Sequence, residues 1–275
     1  MEVQLDIRWI MSFIRNVKIT LNQIRLKMNL ITYWEVKITL NNSIWIIVGI
    51  AQLCTIITAA FQASQDVSGQ RKFPKMLCML FSSLLVVTSW LVAASADFAT
   101  PYVWLAAGMS LSFIGDLSMA ALLPWRHPII GGMITFGLGH LCYMISFTQI
   151  ADSNGLTIYN EAFIACAIVL IVTQLYVWRR ILNVPTQPRA IVNGAAVYGL
   201  LVGFTAVYAA GLWQAVGGLW LLPLVGGLLF VWSDFLIGWF DIGGRKMRNP
   251  RLWIWITYGI AQICIVYAPL VHLLQ

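Results

Sequence analysis

Four polar residues interrupt long apolar stretches of this sequence, and they are the residues that could perform chemistry. Asp116 lies in LSFIGDLSMA and Asp234 in LLFVWSDFLIGWFD, while His140 and Gln262 have similarly apolar neighbours. Two carboxyl groups in a water-poor site can divide acid and base roles between them, because removal from water disfavours the charged form. A nearby histidine can orient water or a carboxylate. Asp116, Asp234 and His140 are therefore the predicted catalytic residues.

Other polar and aromatic side chains recur at helical spacing around these residues. One stripe at i, i+4, i+7 and i+11 predicts a shared helix face for Phe136, His140, Tyr143 and Phe147. Further polar residues lie within one helical turn of an acid or of Gln262, namely Ser112, Ser233 and Tyr258. We assign supporting or substrate-binding roles to Tyr143, Ser112, Ser233, Tyr258 and Gln262.

Eight apolar segments are long enough to carry these side chains across a membrane. The chain has 275 residues, of which 60% are hydrophobic and 10% charged, whereas soluble domains have about 25% charged residues. Apolar runs of this length fit helices that cross a hydrocarbon core roughly 30 Å thick. The predicted spans are 44–62, 75–95, 101–123, 129–149, 159–178, 190–212, 216–240 and 251–273. The sequence thus predicts an all-α, polytopic membrane bundle of about eight transmembrane helices over 44–275.

The four polar residues are predicted to lie at nearly the same depth in this bundle. Asp116 precedes the end of its span by eight residues, or roughly 12 Å, and Asp234 by nine, or roughly 13 Å. His140 and Gln262 each follow the start of a span by eleven residues, or roughly 16 Å. Spans 3–4 and 7–8 carry similar residues in the same orientation, which predicts a parallel repeat of four helices plus four.

The basic residues predict the orientation of the bundle. The net charge is +7, and the loops after odd-numbered spans hold eleven Lys and Arg, whereas the loops after even-numbered spans hold none. This split predicts that the odd-numbered loops lie in the cytoplasm. The predicted location of the protein is the plasma membrane. No basic patch favours a nucleic-acid partner. The basic segment 1–43 disagrees with this orientation, and it is interpreted as a surface-associated helix, a disordered extension or a start codon placed too far upstream.

At these residues the sequence resembles the YhhN-like membrane proteins, which include the lysoplasmalogenases. The resemblance runs from about residue 44 to 273, and four pieces carry it in order: Ser112–Gly115–Asp116, the stripe from Phe136 to Phe147, Leu229–Phe230 with Ser233–Asp234, and Tyr258 with Ala261–Gln262. Lys72 and Pro74 resemble a Lys-Pro pair of the family, although Phe73 separates them here.

The resemblance implies an eight-helix fold and a hydrolase that cleaves the vinyl ether bond of a lysoplasmalogen. The products are a fatty aldehyde and a glycerophospho-base, and the expected partners are a lysophospholipid and the lipid bilayer. Acid protonation of the vinyl ether followed by water addition fits a pair of carboxyl groups. Lys72 would attract the lipid phosphate or follow the positive-inside pattern. No cofactor is expected, and no motif indicates a metal site.

The main alternative is a proton-coupled membrane transporter, because chains of Asp and His also relay protons in membranes. Inverted repeats and broken helices are typical of such transporters, whereas the repeat predicted here is parallel. Each polar residue taken alone has a structural explanation as well, since a buried Asp or His can serve only to bond neighbouring helices.

Overall fold

The computed structural model describes residues 42–64, 74–185, 187–246 and 248–273, and these residues form eight helices. Their bounds are α1 (Asn42–Ser64), α2 (Lys75–Ser95), α3 (Thr100–Met119), α4 (Pro128–Ser153), α5 (Glu161–Val177), α6 (Arg189–Val216), α7 (Leu221–Ile237) and α8 (Pro250–Leu273). Each helix coincides with one predicted span. Residues 1–41 of the predicted extension and Lys72 lie outside the described residues, so the boundary at residue 44 stays a prediction.

Local residue chemistry determines several of the helix ends. Proline occupies the first turn of α3, α4 and α8, where its fixed φ suits a helix start and its missing N–H would have no partner. The Asn160 side chain caps α5 by accepting a hydrogen bond from the Phe163 amide at 3.2 Å. Gly217 follows α6 with φ of 83°, a conformation that glycine adopts without strain.

Six helices among the described residues are long and apolar enough to cross a membrane, namely α2 and α4 to α8. Helix α3, which carries Asp116, is not one of them, and the apolar part of α1 at 47–62 is shorter. Repeated helices of this length are typical of a multi-pass membrane protein. The predicted all-α, polytopic bundle is confirmed.

The two helical hairpins that carry the predicted site are the most extensively packed pairs, α3 with α4 and α7 with α8. Glycines allow the first pair to approach closely, because a Cβ atom on Gly108 would lie 2.9 Å from the Gly139 carbonyl oxygen. Small residues at such crossings allow close van der Waals packing, which holds helices together in lipid, where hydrophobicity does not drive their association. Helix α6 packs against α4, α5 and α7, while α2 packs against α3 and α8. The parallel repeat itself stays a prediction.

Helices α5 and α7 both end in a wider π-helical turn. The turns are Trp178–Leu182 after α5 and Gly238–Ile242 after α7, and they contact each other. Single π-helical turns of this kind are frequent at functional sites. Here they place two stretches of irregular backbone together at one end of the bundle.

Candidate active site

Three aromatic rings mark the place where α4, α7 and α8 meet. Phe136, Phe230 and Tyr258 contact one another edge to face, with ring centroids 5.3 to 5.9 Å apart. Edge-to-face packing is the preferred arrangement of aromatic pairs. The cluster fixes the Tyr258 ring and thereby the position of its hydroxyl group.

A chain of hydrogen bonds runs from this cluster to Asp116. The Tyr258 hydroxyl donates to Asp116 Oδ2 at 2.7 Å and accepts from Gln262 Nε2 at 3.4 Å. Gln262 Oε1 in turn accepts from the Tyr143 hydroxyl at 2.9 Å. Each phenol has one proton, so both donate toward Asp116, which is the acceptor at the end of the chain. Ser112 lies at the far end, with its hydroxyl 3.5 Å from that of Tyr143.

These residues are removed from water, which makes their mutual hydrogen bonds important for stability. Tyr143, Gln262 and Ser112 are fully buried, and Asp116 is 9% exposed. A buried polar group that loses its partner costs about 1–3 kcal/mol. The network therefore joins α3, α4 and α8, and the structure brings five of the sequence-predicted residues together in it.

His140 is fully buried beside this network without joining it. Its Nδ1 lies 2.8 Å from the Thr205 hydroxyl of α6, and its ring contacts Phe230 edge on at a centroid distance of 4.3 Å. Nε2 is buried without a hydrogen-bond partner among the described residues. The structure does not pair His140 with either aspartate, and its catalytic role stays a prediction.

Asp234 lies on a cavity that the sequence did not predict. The cavity has a volume of about 650 Å³ and is lined mainly by apolar side chains of α4 to α7. Asp234 is partly buried in its wall, and its Oδ2 atom has no hydrogen-bond partner in the described part of the chain. The Tyr198 phenol of α6 also lines the cavity and lies beside the Asp234 carboxyl group. Asp116 does not line this cavity.

Two predicted residues have other surroundings. Ser233 is buried and donates to the Ile254 carbonyl oxygen at 2.9 Å, so it bonds α7 to α8. Lys72 belongs to the segment that is not described, but the nearby Lys75 donates to the Ala120 carbonyl oxygen at 2.7 Å. Lys75 therefore ties the start of α2 to the end of α3, where the helix dipole favours a positive charge.

Sequence reasoning missed three polar residues around the site. Tyr198 lies beside Asp234 and within electrostatic range of Asp116, Thr205 bonds His140, and the Ser82 hydroxyl lies beside the Asp116 carboxyl group. Helical spacing could have found them. Tyr198, Val202 and Thr205 follow at i, i+4 and i+7, and Ser82 lies one turn after the buried Cys78.

Replacement of Tyr258 by phenylalanine is expected to lower the free energy of unfolding by about 1–3 kcal/mol, because Asp116 Oδ2 loses its donor at a buried site. Unfolding titrations in mixed detergent micelles measure the difference. Tyr102→Phe is the control, since the Tyr102 phenol is half-buried and has no hydrogen bond among the described residues. Equal stability of the two variants would contradict the importance of the Asp116–Tyr258 bond.

The arrangement provides one carboxyl group on an apolar cavity and a second, buried carboxyl group that accepts a hydrogen bond from Tyr258. Groups of this kind can transfer a proton to a bound substrate and stabilise a developing positive charge. The described residues contain no group of three or more His, Cys, Asp or Glu that could hold a metal ion.

Comparison with known proteins identifies the family. A model of the YhhN family matches residues 70–268, which cover all helices from α2 to α7 and most of α8. No curated protein and no solved structure matches the chain. The match includes Asp116, His140 and Asp234 and the helices that hold them. On this evidence the chain belongs to the YhhN family.

Proposed function

We propose that the protein is a lysoplasmalogenase-like hydrolase, which cleaves the vinyl ether bond of a lysoplasmalogen to a fatty aldehyde and a glycerophospho-base. The YhhN family, to which the chain belongs, includes lysoplasmalogenases. Membership supports a membrane-embedded hydrolase in general. The particular reaction is inferred from the cavity and from the two aspartates.

The observation that carries this proposal is the Asp234 carboxyl group in the wall of an apolar cavity. A volume of about 650 Å³ is typical of cavities that bind small molecules, roughly 300–1,000 Å³. The apolar lining fits the hydrocarbon chain of a lipid. Asp234 Oδ2 is buried and has no hydrogen-bond partner among the described residues, so this oxygen has unused capacity to carry a proton, while the Tyr198 phenol lies beside the same carboxyl group.

The reaction requires one proton on carbon and one molecule of water. The Asp234 carboxylic acid transfers its proton to the double-bond carbon that is remote from the ether oxygen, and the neighbouring carbon becomes an oxocarbenium ion. Water adds to that ion, and its released proton returns to the Asp234 carboxylate. The resulting hemiacetal collapses to the aldehyde and the glycerol hydroxyl group. The acid is regenerated, as in the carboxylate chemistry of glycosidases.

Asp116, which lies behind the cavity lining, is assigned the negative charge that stabilises this cation through space. The Tyr258 hydroxyl donates a hydrogen bond to Asp116 Oδ2, and hydrogen bonds to a carboxylate favour its ionised form. Tyr198 lies beside Asp234 and within electrostatic range of Asp116, which supports the proximity of the two carboxyl groups. Asp116 thus acts through electrostatic stabilisation, and Asp234 contacts the substrate.

The proposal predicts aldehyde release from lysoplasmenylethanolamine by the purified full-length protein. In heavy water, one deuterium is expected on the carbon next to the aldehyde group, because the proton comes from an acid that exchanges with solvent. Reduction of the aldehyde to an alcohol with borohydride traps the label for mass spectrometry. The matched control is the acyl lysophospholipid of equal chain length, which has no vinyl ether and is expected to stay intact.

The outcome also separates the enzyme from a transporter. If reconstituted protein releases no aldehyde from any vinyl ether lipid, but moves a solute across liposomes in response to a proton gradient, the hydrolase proposal is wrong. In that case the hydrogen-bond network from Tyr143 to Asp116 would be part of a proton path.

A further inference from the structure

Two arginines line the same cavity as Asp234, and the proposed reaction uses neither. Arg180 lies in the π-helical turn Trp178–Leu182, and Arg245 follows the π-helical turn Gly238–Ile242. Because these two turns contact each other, the arginines lie together where the cavity reaches the end of the bundle.

The contacts of the two side chains leave most of their hydrogen-bonding capacity unused. Arg245 Nη2 donates to the Arg180 carbonyl oxygen at 3.2 Å, and its guanidinium lies 4.3 Å from the centre of the Trp239 ring. A guanidinium has five N–H donors. Both arginines are exposed, and neither has a carboxylate partner in the described segments. By contrast, Arg251 in the same region lies within electrostatic range of Asp241.

The cavity therefore combines an apolar interior with two cations at its rim. Guanidinium groups bind phosphate oxygens in pairs of hydrogen bonds, and two of them favour a dianionic or diester phosphate over a neutral head. The apolar lining fits a hydrocarbon chain. A ligand that satisfies both regions is a single-chain lipid with a phosphate head.

The spacing along α7 agrees with such a ligand. Asp234 precedes the π-helical turn Gly238–Ile242 by four residues, an α-helical rise of roughly 6 Å, and Arg245 lies just beyond that turn. In a lysoplasmalogen, seven covalent bonds separate the phosphorus atom from the carbon that takes the proton. A phosphate held at the arginine rim would thus direct the vinyl ether inward along α7, toward the Asp234 carboxyl group.

We propose that Arg180 and Arg245 form a phosphate-recognition site, which holds the head of a single-chain lipid while its chain and reacting bond lie in the cavity beside Asp234. This inference rests on the proposed function for the identity of the reacting bond. The recognition of the phosphate itself depends only on the two arginines and the cavity.

Binding of a non-hydrolysable lipid tests the site. Full-length protein in neutral detergent is titrated with radiolabelled 1-O-hexadecyl lysophosphoethanolamine, which has a saturated ether and cannot react. Arg245→Gln and Arg180→Gln are each expected to raise its Kd about tenfold, the effect of losing one charge-assisted contact. Arg248→Gln is the matched control, since Arg248 is an exposed arginine of the same connecting segment and does not line the cavity.

Two further ligands identify what the arginines recognise. Hexadecylglycerol, which lacks the phosphate, is expected to bind wild type and both variants equally. Inorganic phosphate is expected to displace the lipid only at much higher concentration, because it lacks the chain. Unchanged lysophospholipid affinity in both arginine variants, an equal loss of hexadecylglycerol binding, or no saturable binding by wild type would each overturn the proposal. Inorganic phosphate that binds as tightly as the lipid would overturn the lipid assignment.

This experiment is independent of turnover. If the alkyl lipid binds in an arginine-dependent manner but vinyl ether lipids are not cleaved, the phosphate site stands and the proposed reaction fails. If vinyl ether lipids are cleaved and the arginine variants bind and react as wild type does, the reaction stands and the phosphate site fails.

Discussion

Asp234→Asn is expected to lower the rate of aldehyde release from a vinyl ether lysophospholipid by about 10²–10⁴-fold, the usual contribution of a general acid. The amide has nearly the same shape as the acid but does not protonate carbon. Because the cavity keeps its form, affinity for the saturated ether analogue is expected to change little. The measurement is kcat for aldehyde release together with the Kd of the analogue, for variant and wild type.

Asp241→Asn is the matched control for this substitution. Asp241 lies seven residues further on, in the π-helical turn, where its side chain is exposed and does not line the cavity. Wild-type turnover is expected for this variant. An Asp234→Asn protein that releases aldehyde at the wild-type rate would show that another group protonates the substrate. The assignment of the acid would then be wrong.

Gly108→Ala is expected to destabilise the bundle by about 1–3 kcal/mol, the typical cost of overpacking a close contact. The added Cβ atom would lie 2.6 Å from the Tyr143 ring and 2.9 Å from the Gly139 carbonyl oxygen. The carbonyl belongs to the backbone of α4, so the two helices must move apart. Displacement of Tyr143 would also lengthen its hydrogen bond to Gln262, and unfolding titrations in mixed micelles measure the combined loss.

Gly194→Ala on α6 separates crowding from the general effect of adding a methyl group. A Cβ atom there would meet only the end of the Met133 side chain, at the ordinary contact distance of 3.8 Å. Alanine is favoured over glycine inside a helix by roughly 0.5–1 kcal/mol, so this variant is expected to be as stable as wild type or slightly more. Equal stability of the two variants would mean that the α3–α4 crossing tolerates separation.

The helices were predictable because each one corresponds to a continuous apolar segment of the sequence. An apolar run long enough to cross a bilayer needs no knowledge of its neighbours. Prolines and turn residues then set the ends within a few positions, as Pro128 does for α4 and Pro250 for α8. The two π-helical turns were not predicted, since a wider turn depends on how the end of one helix packs against the next.

The residues of the site were found from burial cost and helical spacing, but their partners were not. Asp116 and Tyr258 are 142 positions apart, and Tyr143 and Gln262 are 119 apart. Helical spacing can place such residues on a face, but it does not reveal which face meets which. For the same reason His140 was expected among the aspartates, whereas its ring nitrogen bonds Thr205 of α6.

The sequence by itself determined that the chain is a helical membrane protein with costly polar groups inside it, because charge, hydropathy and helical periodicity are local properties. Only the tertiary structure decided that Asp234 borders the cavity while Asp116 ends a buried chain of hydroxyl and amide groups. It likewise decided that Arg180 and Arg245 share one rim. A cavity is the space left between helices, and its shape depends on how they pack against one another, which residue spacing along any single helix does not specify.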